Sequence, residues 1–195
     1  NYIIEISDDA LDAEDLEFRL SISDFFGNTW ESIVPIQVYG GLLTVDHVQY
    51  LNDFELDPGE EGQISIFLTN SGSITMNDVS LELLPSGSLV DILQPTTTFG
   101  SINPGETVES NYPVEVLING NTINGSSLSL NATISSSNGY NHSSAFNIQI
   151  GHVTSVDPLG PDEHGYYIYD SSDLGYNLAP IYDWIEIDND FIGDG

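Results

Sequence analysis

Residues 63–70, QISIFLTN, alternate apolar and polar side chains along one short run. Ile64, Ile66 and Leu68 fall on one side of an extended chain, because successive side chains of a strand point to opposite faces. No stretch of a dozen residues has the 3.6-residue period of an amphipathic helix. The run therefore predicts a strand with one buried face, in a chain that is all-β.

Comparable runs lie on both sides of this strand. Clusters of Gly, Pro, Asn and Ser separate them, as expected of turns. The predicted strands of this set are seven: 42–50, 63–70, 78–84, 88–93, 107–118, 127–134 and 143–150. This number and spacing are typical of an immunoglobulin-like antiparallel β-sandwich. An eight-stranded jelly roll is the nearest alternative.

The residues before this set predict a separate hairpin. Leu16, Phe18, Leu20 and Ile22 alternate with polar residues, and a second alternating run follows the turn-forming pair Gly27-Asn28. The chain begins without Met and stops at Gly195, which suggests a piece of a longer protein. The predicted organisation has partial flanking β-domains: 1–40 is the C-terminal hairpin of a preceding sandwich, 41–150 is the sandwich, and 151–195 is an acidic, aromatic junction that opens a following β-domain.

Two turns repeat one pattern. Asp57-Pro58-Gly59-Glu60 and Asn103-Pro104-Gly105-Glu106 each precede a predicted strand. Proline sets φ at the first central position of a type II turn, and glycine supplies the positive φ at the second. Both segments are therefore predicted to be type II turns.

The charge balance excludes several classes of function. The chain has 31 Asp and Glu against a single basic side chain, Arg19, which gives a formal net charge of -30. Binding to nucleic acid, phosphate clamps or anionic membranes needs Lys and Arg, so none of these is expected. No apolar run reaches the length of a membrane-spanning helix. The lack of cysteine excludes disulfides and thiol nucleophiles.

The acids are unevenly distributed. Segment 63–150 holds six of them, whereas the much shorter segment 151–195 holds ten. Crowded carboxylates repel one another, and Ca²⁺ is bound by six to eight oxygen ligands of this kind. A calcium site at the domain junctions is therefore predicted, although ordinary solvated loops are the alternative and no EF-hand pattern occurs. The candidate ligands are Asp8 and Asp12; Asp53, Glu55 and Asp57; and Asp170, Asp173, Asp183, Glu186 and Asp188.

Catalytic signatures are weak. The four histidines, His47, His142, His152 and His164, are not accompanied by a Gly-x-Ser-x-Gly elbow or a His-Glu-x-x-His zinc motif. A small β-sandwich glycosidase needs only two facing carboxylates and aromatic sugar platforms, and it remains the enzyme alternative. The tyrosines of 166–182 and Trp184 would also suit a carbohydrate-binding or adhesive module. The favoured interpretation places Tyr167, Tyr169, Tyr182 and Trp184 on an alternating strand with packed rings.

A family resemblance rests on two motifs. Leu56-Asp-Pro-Gly-Glu60, followed by a strand that ends at Asn70-Ser-Gly72, resembles the opening of immunoglobulin-like modules in bacterial secreted proteins. Segment 99–106, FGSINPGE, is similar to the loop before the long middle strand of those modules. The sequence departs from their pattern at Phe54, where Gly or Asn is common.

The junction carries a further resemblance. Segments 157–170 and 179–187 resemble a junction of large secreted or surface peptidases, the gingipain-like cysteine peptidases of Bacteroidota and related multidomain proteins, many exported by the type IX route. Segment 18–30 resembles the last hairpin of a preceding module. The resemblance implies a non-catalytic, extracellular or cell-surface spacer whose partners are neighbouring domains of the same parent chain, with surface glycans or proteins as alternatives. The catalytic Cys and His of that family have no counterpart here.

Overall fold

A computed structural model describes residues 12–51, 55–173 and 175–181. These residues form strands, turns and loops, and no helix occurs among them. The described part of the chain therefore has no helix that could cross a membrane. The strands that they form are β1 (Asp15–Ser23), β2 (Thr29–Gln37), β3 (Leu43–Tyr50), β4 (Glu61–Asn70), β5 (Met76–Pro85), β6 (Val90–Gln94), β7 (Thr96–Ile102), β8 (Thr107–Glu109), β9 (Val114–Ile118), β10 (Ser126–Ser135) and β11 (Asn141–Ile150). The all-β prediction is confirmed.

Strands β1 and β2 form an antiparallel hairpin of their own. Its register pairs Leu16 with Ile36, Phe18 with Val34, and Ile22 with Trp30. These directly opposite pairs share one face, which is therefore apolar. The connecting loop is longer than a two-residue turn: Asp24 accepts hydrogen bonds from two backbone amides of the loop.

Strands β3 to β11 form a β-sandwich. One sheet has the order β11-β10-β5-β7; the other has the order β3-β4-β9-β6, with β8 also paired to β4. All pairs of these strands are antiparallel. A single parallel bridge between Leu56 and Ile150 ties the loop before β4 to the end of β11. The finer immunoglobulin-like assignment and the domain bounds stay predictions.

The core lies between the two sheets. Every second residue of β4, β9 and β10 is buried there, as the period of two requires. Each fully buried aliphatic side chain contributes about 1.5–3 kcal/mol relative to its exposed state. The largest of these buried side chains are Leu43, Ile64, Ile66, Leu68, Met76, Leu81, Leu83, Ile102, Ile118, Leu130, Ile134 and Ile148.

Two strand predictions were wrong. The run 96–102, which no predicted strand covered and whose second half was likened to a loop, is strand β7, and the predicted strand 107–118 is divided into β8 and β9. Both of its parts pair with β4, but Ser110 lies between them and bonds the middle of β4, where its Oγ accepts from the Ile66 amide at 3.1 Å. The next amide, of Asn111, donates instead to Thr98 of the other sheet. The chain leaves the ladder at this point, and Pro113, without an N–H, does not extend it.

The two repeated turns are confirmed. Gly59 and Gly105 have φ of 84° and 77°. In each turn the amide of the final glutamate donates to the carbonyl of the first residue, at 3.1 and 3.0 Å. The side chain of the same glutamate accepts a 2.9 Å hydrogen bond from the amide of the first residue. Each turn is thus closed by two reciprocal bonds.

Candidate functional site

The hairpin is joined to the sandwich through the carboxylate of Asp12. It accepts hydrogen bonds from the Gly40 amide at 2.6 Å and from the Ser73 hydroxyl at 2.7 Å. The bond from Gly40, followed by the bond from Ser73, holds the pKa of Asp12 below its usual value. Asp12 is therefore ionised at neutral pH and holds the hairpin against the turn that follows β4. Asp12, Gly40 and Ser73 are called the N-terminal seam below.

Asn70 organises the turn beneath this seam. It is completely buried, and its side-chain amide donates to the carbonyls of Ile74 at 2.8 Å and Ile102 at 3.0 Å. Its Oδ1 accepts from the Gly72 amide at 3.0 Å. Sequence analysis treated Asn70-Ser-Gly72 only as the end of a strand and missed this role. The sequence contained a signal for this role, because the side chain of an asparagine at the end of an apolar strand often bonds nearby backbone groups.

At the other end of the sandwich, Asp157 holds the C-terminal segment, residues 151–173 and 175–181. Asp157 is only 9% exposed. It accepts hydrogen bonds from the Thr154 amide at 2.5 Å, the Thr154 hydroxyl at 2.9 Å and the Asn124 side-chain amide at 3.2 Å, and also from the Tyr176 hydroxyl. Asn124 belongs to the loop between β9 and β10. Asp157 with these three partners is called the C-terminal seam.

The hydrogen bonds decide the ionisation of this seam. Burial by itself raises the pKa of Asp157, but the bonds from Tyr176, Thr154 and Asn124 outweigh it and leave the pKa below its usual value. The pKa of its partner Tyr176 moves in the opposite direction. Burial, followed by the hydrogen bond to Asp157, raises the pKa of Tyr176 to about 12. A charged carboxylate and a neutral phenol are thus the stable pair between these two pKa values.

The C-terminal seam should open at both extremes of pH. The lowered pKa of Asp157 gives a stabilisation that is present above its usual pKa of 3.8 and lost as pH falls through the lower folded value. The raised pKa of Tyr176 gives a stabilisation that is complete below pH 10.0 and lost as pH rises through about 12. In an ultraviolet titration of tyrosinate, Tyr176→Phe should remove the amplitude of one tyrosine from the late phase to which Tyr50, Tyr140 and Tyr169 also contribute, and Asp157→Asn should shift that amplitude toward the ordinary value. A late phase that persists unchanged in Tyr176→Phe would contradict the assignment.

Four of the acids close turns in the same way. In four turns a carboxylate accepts a hydrogen bond from the backbone amide three residues earlier, as in the second half of a helix capping box. The pairs, with the acid second, are Asp57 and Glu60, Asn103 and Glu106, Thr154 and Asp157, and Asp170 and Asp173. Acids that close turns accumulate wherever the chain turns, which is at the ends of the sandwich. The spacing was visible in the sequence and was not recognised.

Five of the ten predicted metal ligands belong to the described part of the chain. Asp8, Asp53, Asp183, Glu186 and Asp188 lie outside the described residues. Within the described ranges, no three carboxylates or histidines gather in a way that could hold a metal ion. Asp12 accepts donors at the N-terminal seam, Asp57 lies in the first repeated turn, and Glu55 is half-buried before it. Calcium binding stays a prediction.

Asp170 and Asp173, also predicted ligands, share one turn. The buried Asp173 carboxylate accepts from the Asp170 amide at 2.5 Å, and it is 3% exposed. The Asp170 carboxylate accepts from the hydroxyl and the amide of Ser172, which lower the pKa of Asp170. Both side chains therefore serve the geometry of their own loop.

His47 and His164 lie on the surface, each beside an acidic residue. His47 is exposed and stacks on Phe67 with ring centroids 4.2 Å apart, while its Nδ1 lies 2.7 Å from Asp46. His164 lies 3.3 Å from the Glu163 carboxylate at an exposed position. Both are surface pairs whose contribution to stability is small.

The tyrosines of the C-terminal segment line a cleft. Tyr167 and Tyr169 are half-buried whereas Tyr166 and Ile168 are exposed, so the predicted alternation is present, but the described segment forms only a single bridge between Leu159 and Ile168. Tyr182 and Trp184 lie outside the described residues. The rings form one wall of an open cleft of about 370 Å³, and the loop between β9 and β10 forms the opposite wall.

Comparisons with known proteins add little. No family model matches the chain, and no curated protein matches it. Among solved structures it is similar to Spo0M, a sporulation control protein from Bacillus subtilis, with 18% sequence identity and a TM-score of 0.32. The match covers 58% of this chain and 51% of that chain, so the chain spans about half the length of Spo0M. A likeness this weak carries no argument about fold or function, and the resemblance to secreted peptidases stays a prediction.

Proposed function

We propose that this chain is a non-catalytic spacer in a larger secreted or cell-surface protein, with a peptidase as its parent. In this role the sandwich holds neighbouring modules of the same chain at a set distance. The proposal attributes to the seam acids a mechanical function, which is to fix the flanking segments against the sandwich.

The placement of the two seams carries the proposal. The N-terminal seam adjoins the turn after Asn70, where β4 ends. Before the start of β4, Leu56 pairs with Ile150, and its carbonyl accepts from the amide of Gly151, the first residue of the C-terminal segment. The Cβ of an alanine at Gly120, beside that start, would lie 3.8 Å from Asn177 of the C-terminal segment. Ten residues of strand separate the two ends by roughly 30 Å. Segments anchored at opposite ends of a rigid sandwich are the geometry that a spacer requires.

The hairpin supports the same interpretation. On its apolar face Leu20, Ile22, Trp30 and Val34 are each 42–55% exposed. An isolated two-stranded hairpin is marginally stable, and an apolar sheet face is normally buried against another layer. A preceding β-module would supply that layer.

Tryptophan anisotropy tests whether the hairpin is held rigidly. In a Trp184→Phe background, Trp30 is the remaining tryptophan of the two. Its time-resolved anisotropy should decay with the tumbling of the whole chain, and Asp12→Ala should add a faster decay because the hairpin loses its anchor. Asp91→Ala, which removes an exposed acid of β6, is the matched control. Equally fast motion before and after Asp12→Ala would contradict a rigid spacer.

Calcium is a separate part of the proposal. A ligand that binds only the folded state stabilises it by about 2.7 kcal/mol at a hundredfold excess over its Kd. Thermal melting in millimolar CaCl₂ should therefore occur at a higher temperature than melting in EDTA. Superimposed melting curves would remove calcium from the proposal and leave the spacer role intact.

A further inference from the structure

The cleft beside the C-terminal seam is built from three separate parts of the chain. Leu89 comes from the loop between β5 and β6, residues 121–123 from the loop between β9 and β10, and Ser126 from the start of β10. Tyr166, Tyr167 and Tyr169 come from the C-terminal segment. Its volume of about 370 Å³ lies within the range of small-molecule sites. A hydrogen bond of 2.9 Å between the Ser126 and Tyr167 hydroxyls fixes one wall to the other.

The lining of this cleft is uncharged. The described residues that form it are tyrosines, aliphatic side chains, small polar residues and a glycine, and none of them is Asp, Glu, His or Arg. The net charge of -30 disfavours an anion, which also has no basic group in the lining to bind. A cation would find no carboxylate in the lining. The cleft therefore favours a neutral ligand.

The polar groups of the cleft suit a ligand with many hydroxyls. The side-chain amide of Asn121 is exposed and offers both donors and an acceptor. The Tyr166 hydroxyl adds a donor and acceptor, and the Ser126 and Tyr167 hydroxyls keep capacity beyond the single bond that joins them, because each hydroxyl donates once and accepts twice. Thr122 is 1% exposed, and its Oγ1 has no partner within the described structure, which is unusual in a native fold. A wall that combines aromatic faces with amide and hydroxyl groups matches the two kinds of surface on a sugar ring.

We propose that this cleft binds one neutral sugar unit of a glycan. The ring stacks on the exposed face of Tyr166, which is 71% exposed, and the opposite edge contacts Leu178, which is 62% exposed. Asn121 and the Tyr167 hydroxyl bind the sugar hydroxyls. Since the cleft opens to solvent beside these two exposed side chains, the neighbouring units of a glycan chain extend outward. The proposal adds a ligand to the spacer and does not depend on the spacer role.

Native affinity electrophoresis of the full chain tests this site. The gels contain soluble neutral polysaccharides, namely glucan, mannan, xylan and galactan, and one anionic control, alginate. At least one neutral polysaccharide should retard the chain, and Tyr166→Ala should weaken that retardation about tenfold, the effect of losing one aromatic stacking contact. Tyr112→Ala removes a tyrosine of similar exposure, 66%, that lies outside the cleft lining, and it should leave the retardation unchanged.

The same gels show how the proposal would fail. Absence of retardation by all four neutral polysaccharides overturns it, and so does equal retardation of the wild type and Tyr166→Ala. Retardation by alginate alone overturns the charge argument. Because the Tyr166 side chain is mostly exposed, Tyr166→Ala should melt within about 1 °C of wild type, the small effect expected of a surface substitution. Asn121→Ala, in the opposite wall, gives an independent second variant and should also weaken retardation.

Discussion

Replacing Asn70 with alanine should lower the free energy of unfolding by about 3 kcal/mol or more. The substitution leaves the carbonyls of Ile74 and Ile102 and the amide of Gly72 without the partner that the buried side chain supplies. Each buried group that loses its hydrogen bond costs about 1–3 kcal/mol. Urea denaturation followed by tryptophan fluorescence and circular dichroism measures the loss.

Asn147→Ala is the control for this prediction. Asn147 is an exposed asparagine of β11, and its replacement should change the unfolding free energy by no more than about 0.5 kcal/mol. Asn70→Asp sharpens the test, because a carboxylate keeps the acceptor but turns the two donor contacts into repulsion with carbonyls. If Asn70→Ala and Asn147→Ala unfold at the same urea concentration, Asn70 does not organise the turn.

The second large effect is expected for Gly72→Ala. A Cβ at this position would lie 2.5 Å from the Gly40 carbonyl oxygen, 2.5 Å from the Leu42 amide nitrogen and 2.7 Å from the Gly41 Cα. All three atoms belong to the backbone that leads from the hairpin into β3, so relief of the clash requires movement of the chain itself. A loss of roughly 3 kcal/mol is expected, at the upper end of ordinary overpacking.

Gly72→Ala should also disturb the N-terminal seam, since Gly40 donates to Asp12. In a urea titration of the variant in the Trp184→Phe background, the fluorescence of Trp30 should therefore change at a lower urea concentration than the one that unfolds the whole chain. Gly87→Ala is the matched control, because a Cβ there would meet no atom within 4 Å. Equal stability of the Gly72→Ala and Gly87→Ala variants would show that the close approach of the two backbone segments is not required.

The two predictions concern one structural unit. Asn70 and Gly72 hold the turn through which the hairpin reaches the sandwich, and Asp12 fixes the hairpin from the other side. The sequence motif Asn70-Ser-Gly72 thus has a physical meaning: the asparagine saturates buried backbone groups, and the glycine permits two chain segments to touch. Loss of either residue should weaken both the sandwich and the attachment of its neighbour.

Four acids have a structural role that sequence analysis did not predict. Crowding along the chain predicts cation binding, and that prediction stays untested; the structure adds a second role, since Glu60, Glu106, Asp157 and Asp173 each accept an amide three residues earlier. Composition counts charges but does not show which donors face them. The i, i+3 spacing with a turn between was the feature that could have been used, because it places a carboxylate within reach of a backbone amide.

The predicted strand 107–118 shows which information the local sequence pattern lacks. The apolar residues Val108, Tyr112, Val114 and Val116 keep one phase on both sides of the polar residues 109–111, so a single strand was the natural prediction. The break arises because Ser110 bonds Ile66 of one sheet while Asn111 bonds Thr98 of the other. Which residues bond to both sheets depends on how the two sheets are placed in space, and the local period of the sequence carries no information about that placement.

The sequence alone determined the all-β class, the alternation that buries Ile64, Ile66 and Leu68, and the two Pro-Gly turns, because each depends on a residue and its near neighbours. Tertiary structure decided which segments meet: Asp157 with Asn124 and Tyr176, and the tyrosines with the loop between β9 and β10. These contacts join residues from 19 to more than 30 positions apart, as the 33 positions between Asn124 and Asp157 illustrate. Their partners are chosen by how the sheets pack and where the chain returns, which no local pattern encodes.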